Sequence, residues 1–251
     1  MTRTRVRRGR AAARASGGRR PRPGWRPVGA ALLALALSAA VAWVLLGSPL
    51  LAVRRVEVAG ATLVQRDRLV AAAGVRTGLP LARLDTDEVR ARVQRLREVE
   101  SATVRRVWPG TVRIEVRERV PLVAVERAGR FWQLDRFGVA VTESARRPAA
   151  LPLLNVAVPQ PGDPATEAAL RVVQELPERL ARRLTAVDAP SPESVTLRFS
   201  AVGDSGPLTV VWGPPGRAAE KSRLVEALRR TSAGRSARTI DVSSPEVVTT
   251  R

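Results

Sequence analysis

Val99-Glu100-Ser101-Ala102-Thr103-Val104-Arg105-Arg106-Val107-Trp108-Pro109-Gly110-Thr111-Val112-Arg113-Ile114-Glu115-Val116-Arg117-Glu118-Arg119 is the stretch whose reading decides the fold. Val112, Ile114 and Val116 alternate with Thr111, Arg113, Glu115 and Arg117, the period of a strand with one buried face and one wet face. Val99 to Trp108 is extended by its valine content. Pro109-Gly110 between the two runs supplies the fixed φ and the positive-φ residue of a type II turn. The stretch therefore reads as a hairpin with a buried face that other elements must cover.

Upstream, Asp85-Thr86-Asp87-Glu88 starts a helix. Asp85 is placed to cap it, and the acids suit the positive helix end. Val89, Val93 and Leu96 form a single apolar stripe, with Arg90, Arg92, Gln94 and Arg95 outside. A shorter helix runs to Ala73, with Thr62-Leu63-Val64-Gln65 in the form of a capping box and Gly74 at the left-handed position past its end. Val53 to Val58 has strand character, closed by Gly60. The order is strand, helix, helix, strand, strand.

Further upstream, residues 28–46 form one uncharged run in which Ser38 is the only polar side chain. As a helix the run reaches roughly 28 Å, close to the hydrocarbon thickness of a bilayer. Ten arginines and no acid precede it, and short arginine-rich flanks stay cytoplasmic. A transmembrane helix over 28–47, a disordered cytoplasmic tail over 1–27 and external domains after it are expected. Ala40-Val41-Ala42 would suit signal cleavage, but Trp43-Val44-Leu45-Leu46 carries the apolar run past it.

The formal charge is +20, and ten of those charges lie in the first 26 residues. The tail reads as a topology signal beside anionic lipid rather than a nucleic-acid arm, because no aromatic residue other than Trp25 interleaves with it. Cysteine, histidine and tyrosine are absent and Lys221 is the only lysine. That removes thiolate chemistry, the usual general base and the commonest metal ligands. A Ser-x-x-Lys device fails because Ala218 stands three before Lys221. Asp85, Asp87 and Glu88 belong to a helix start, and Asp204 and Asp241 have no partner to work with. No catalytic residue, metal or cofactor is expected. Trp108 and Trp132 are expected to pack inside their domains, and Trp212 reads either as a strand end or as a surface anchor.

Downstream, Pro121 to Glu126 leads to a turn at Gly129-Arg130, and Phe131 to Asp135 returns. A helix is expected from Thr166 to Leu176, with Leu170, Val173 and Leu176 on one side. Val195, Leu197 and Phe199 alternate, as do Leu208, Val210 and Trp212, and a helix from Ala218 to Arg230 faces Leu224, Val225 and Leu228 inward. Residues 146–164 and 203–216 are loop-like.

The anchor, then Val53-Arg54-Arg55-Val56-Glu57-Val58-Ala59-Gly60, Leu84-Asp85 and the Arg106-x-Trp108-Pro109-Gly110-Thr111-Val112 hairpin ending in Glu118-Arg119-x-Pro121, resembles a POTRA domain. It looks like that of the bacterial division family FtsQ/DivIB. Trp132, Leu134, Asp135 and Gly138, Leu151-Pro152, Lys221 with Leu224 and Leu228, and Ile240-Asp241-Val242 are similar to that family's β domain. The resemblance implies an α+β chain. A single transmembrane helix is followed by a βααββ POTRA domain over 51–119 and a mixed, largely antiparallel β domain with flanking helices over 120–251. It implies a non-catalytic scaffold of the division septum, single-pass and type II, that binds FtsB/DivIC-like and FtsL-like proteins and links to septal peptidoglycan synthesis. It places partner binding at Ile240, Asp241, Val242, Val247 and Val248. It makes Arg54, Arg55 and Glu57 candidates for other membrane proteins of the divisome. The competing classes are a POTRA-containing transport or chaperone component and an anchored cell-wall enzyme.

Overall fold

The structure, a computed structural model, describes residues 25–47, 49–201, 206–244 and 249–250. Helix α1 (Trp25–Gly47) has 23 residues, about 34 Å. Its stretch Pro27–Val44 is long and apolar enough to cross a membrane, and none of it is buried among the described residues. Ser38 donates back to the Ala34 carbonyl at 2.8 Å, which satisfies the hydroxyl within the helix. A 3-10 turn, Pro49–Leu51, follows.

The first block after it is β1 (Arg55–Ala59), α2 (Arg66–Ala73), α3 (Thr86–Gln94), β2 (Val99–Val107) and β3 (Thr111–Glu118). β3 is central, parallel to β1 and antiparallel to β2. Val112, Ile114 and Val116 are buried against Leu69, Val89 and Val93 of the two helices, each contributing roughly 1.5–3 kcal/mol by burial. Asp85 caps α3, accepting from the Asp87 and Glu88 amides at 2.9 and 3.0 Å. Gly74 ends α2 with φ 59°.

Two local expectations fail here. Helix α2 starts after Gln65 with no side-chain cap, because Thr62 donates at 2.6 Å to Glu118, 56 residues away. Glu118 also accepts from the Leu63 and Val64 amides at 2.9 and 2.8 Å, so a distant carboxylate replaces the capping box. The β2–β3 turn is not type II: the Trp108–Pro109 peptide is cis and Gly110 has no positive φ. Gly110 is required for close approach instead, since a Cβ there would lie 2.7 Å from the Ala52 carbonyl oxygen.

The second block contains β4 (Val123–Arg127), β5 (Arg130–Leu134), β6 (Ala140–Ser144), β7 (Leu153–Asn155), α4 (Pro164–Glu175) and α5 (Glu178–Ala181). It continues with β8 (Leu184–Ser191), β9 (Ser194–Phe199), β10 (Leu208–Val211), α6 (Ala218–Arg230), α7 (Ser232–Ser236), β11 (Thr239–Asp241) and β12 (Thr249–Thr250). The strands form one sheet in the order β12-β11-β10-β9-β8-β7-β4-β5-β6. Pairing is mixed: β10–β11, β4–β7 and β7–β8 are parallel and the rest antiparallel. The core lies between the sheet and the helices, with Leu170 and Val173 of α4 and Val225 of α6 packed on Val187, Leu197 and Val210. The β4–β5 turn is at Ala128-Gly129 rather than Gly129-Arg130. Both residues have positive φ, 52° and 73°, the conformation of a type I′ hairpin.

The two blocks are joined by charge. Arg119, just past β3, donates to Asp135 at 2.5 Å, and Asp135 is 1% exposed. Asp135 also accepts from the Phe137 and Val139 amides at 2.9 and 2.8 Å. Arg136 meets Glu100 of β2 at 2.6 Å. Glu118 and Arg119 therefore act in opposite directions: one closes the first block on itself, the other fastens it to the second.

Candidate functional site

The sheet of the second block ends in a short edge. β11 lies beside β10, with Val210 opposite Ile240 and Val211 opposite Asp241, and the Val242 amide extends the ladder to the Val211 carbonyl at 2.9 Å. β12 pairs on the outer side of β11, Thr250 opposite Ile240 and Thr249 opposite Asp241. β12 is last in the strand order, so among the described residues no strand covers its outer backbone groups. Unpaired edge groups template the addition of another chain's strand.

The side chains expected at this site divide into three kinds. Ile240 and Val242 are fully buried core residues. Asp241 is half-buried and accepts from the Ser243 amide at 2.9 Å, which turns the chain out of β11. Val247 and Val248 lie outside the described residues. Of these, Asp241 is the one described side chain that is partly exposed.

The edge rests on a buried support. Trp212, directly after β10, is fully buried in the core and is not a surface anchor. Lys221, 2% exposed, donates to the Trp212 and Pro214 carbonyls at 2.8 Å each and lies over the Trp212 ring. Burial, with a smaller contribution from the Arg217 charge, pushes its pKa below the ordinary lysine value, opposed by Glu175. Gly213 follows with φ 73° and touches Ser243; a Cβ there would lie 2.8 Å from the serine Cβ. The only lysine of the chain thus holds the loop that abuts the end of β11.

The second candidate patch lies on the first block. Arg54 and Arg55 are exposed, and both amides donate to Gly110, at 2.8 and 3.2 Å. Glu57 is half-buried and paired with Arg113 at 3.0 Å. The structure does not bring these residues together with the β11–β12 edge; they lie in a different sheet.

The acids at the α3 start are structural. Asp87 pairs with Arg90 at 3.1 Å and Glu88 with Arg92 at 2.6 Å. The Glu88 and Asp87 amides hold the Asp85 carboxyl below its ordinary pKa, the opposite of a general acid. Among the described residues no group of three or more acids is placed to hold a metal. Trp132 is partly buried against the core, but Trp108 is 48% exposed and does not pack in its domain. The hairpin tip cannot bury the ring because Pro109 and Gly110 turn the chain away at the sheet's end.

Comparison with known proteins agrees with this architecture. A sequence family described as "POTRA domain, FtsQ-type" matches residues 51–119. The chain is 37% identical over 221 residues to the cell division protein FtsQ of Mycolicibacterium smegmatis, covering 88% of this chain and 63% of that one. With FtsQ of Mycobacterium tuberculosis H37Rv the identity is 36% over 204 residues, 81% of this chain and 62% of that one. With FtsQ of Streptomyces collinus it is 33% over 228 residues, 86% of this chain and 83% of that one. The chain thus spans less than two thirds of the length of these mycobacterial relatives and most of the length of the Streptomyces one. An apolar membrane-length helix, a βααββ block matching the FtsQ-type domain and a mixed sheet after it, with a third of residues shared along most of both chains, assign this protein to the FtsQ family of cell division proteins.

Proposed function

We propose that the protein is a non-catalytic, membrane-anchored scaffold of the bacterial division septum. The arginines before α1 favour a cytoplasmic N-terminus with both blocks outside. The observation that carries the docking site is the outer edge of β12, next to a core that holds β11 rigidly against β10. An extended segment of an FtsB/DivIC-like protein adds there by main-chain hydrogen bonds, with an FtsL-like protein in the same assembly, and the complex acts on septal peptidoglycan synthesis. Asp241 and residues 247–248 are the side-chain contacts of that edge, while Ile240 and Val242 act by keeping it in place. Arg54, Arg55 and Glu57 face other membrane proteins of the division complex.

The burial of Ile240 and Val242 dictates the test. Deletion from Pro245 removes β12 and the segment before it but keeps the buried Ile240 and Val242. The full-length chain should co-purify with the FtsB/DivIC-like protein and the shortened chain should not, while keeping its thermal transition. Equal capture by both chains would remove the assignment.

A further inference from the structure

Trp108 is left without a role by everything above. Its ring is 48% exposed at the β2–β3 tip, and Pro109 beside it is exposed as well. An exposed tryptophan on a pinned hairpin costs hydrophobic free energy in water and calls for something that covers it.

The position of the tip indicates what covers it. Gly110 accepts from the Arg54 and Arg55 amides, fixing the tip to the first residues after the anchor. Ala52 bridges to Pro80, and Val53 and Gly78 are tied to the same turn by hydrogen bonds of 2.8 and 2.9 Å. The Leu81–Arg83 turn that follows lies against α1 itself. Residues 52–55, 78–83 and 108–110 therefore form the end of the block that meets the membrane helix. Helix α1 is about 34 Å long and exceeds a 30 Å hydrocarbon core by only a few ångströms, so this end lies at the headgroup layer.

The charges at this end have one sign. Arg54 and Arg83 are exposed, and the Arg54 stem lies across Gly110, 3.4 Å from where a Cβ would stand. Among the described residues neither arginine is in a salt bridge, whereas Glu57 is paired with Arg113. An exposed tryptophan and exposed arginines at one end of a block are the composition that lies at a bilayer interface, the ring among headgroups and the guanidinium groups on phosphates.

We propose that Trp108, with Arg54 and Arg83, docks the first block onto the anionic lipid surface beside its own anchor, fixing the tilt of the external domains. This rests on reading α1 as a membrane span. The occupant of the tip is the bilayer, which takes Arg54 from the protein-facing patch proposed above and leaves Arg55 and Glu57 to it; a protein contact at Trp108 is the competing outcome.

The full-length chain in nanodiscs with brominated lipids tests it. Ring fluorescence is quenched only where a ring reaches the lipid. In discs containing phosphatidylglycerol, Trp108→Phe should remove roughly one third of the quenched signal, the remainder coming from Trp25 and Trp43. Arg54→Glu with Arg83→Glu should reduce the Trp108 share, as should high salt. An unchanged quenched signal in Trp108→Phe overturns the proposal, as does loss of a division-protein cross-link at Trp108 without a change in quenching. Trp43→Phe separates the two readings: if it removes no quenching, the span fails rather than the docking.

Discussion

Replacing Asp135 by alanine should loosen the molecule at its waist. The carboxylate is 1% exposed and takes a hydrogen bond from Arg119, whose own side chain is 18% exposed, at 2.5 Å. Two backbone amides, of Phe137 and Val139, also point at it. Removing one member of a buried pair costs about 3–5 kcal/mol, chiefly because the other charge is left unpaired. Arg119 keeps some solvent and the Phe137 amide belongs to an exposed residue, so the lower end applies, about 3 kcal/mol. That is a change of roughly two powers of ten in the folding equilibrium. Asp135→Asn retains an acceptor for the amides and should cost about half as much. Urea unfolding of the full chain in detergent, followed by far-UV circular dichroism, reads the change. In a double-mutant cycle, Arg119→Ala combined with Asp135→Ala should cost less than the sum of the two by about 1–3 kcal/mol. Additive losses would refute the pair as the tie between the blocks, as would a loss below 1 kcal/mol for Asp135→Ala.

Three further outcomes follow from particular contacts. Burial opposes the charge on Glu118, but the Thr62 hydroxyl and the Val64 and Leu63 amides outweigh it and hold its carboxyl below the ordinary glutamate range. A folded-state pKa lowered in this way stabilises above the unfolded value of about 4.3 and ceases to as pH falls through the folded value, so Glu118→Gln should flatten the acid limb of stability against pH. Gly213→Ala places a Cβ 2.8 Å from that of Ser243 at φ 73°; amide exchange should accelerate at Ile240 and Val242 before it does at Val195 and Leu197. Lys221→Met strips the buried Trp212 carbonyl of its donor and should cost about 1–3 kcal/mol in the same urea assay.

How far the fold was legible depended on how local its causes are. The β3 alternation, the Asp85 cap and Gly74 are decided within a few residues, and the structure follows the sequence there. Thr62 has the spelling of a capping residue, but its hydroxyl is taken by Glu118 from the far end of the block, which no window around Thr62 contains. β8 gives no clean strand signature because Pro190 interrupts it. Pro190 is tolerated because the pairing with β9 is irregular between Asp188 and Ser191, so the missing N–H is not demanded by the ladder. At the candidate site the hydrophobic spelling of Ile240 and Val242 is common to core strands and binding strands. Only the sheet order separates them, by placing β12 outside β11. Trp108 misleads for a related reason: a tryptophan in a soluble domain is expected inside, and what holds this tip in place, the bonds from Arg54 and Arg55 to Gly110, lies far upstream in the sequence.

The most direct measurement of the central claim is septum spacing in growing cells after the protein is depleted. The account predicts unseptated filaments, with septa restored by the full chain and not by the chain ending before Pro245. Regular septa after complete depletion would contradict it.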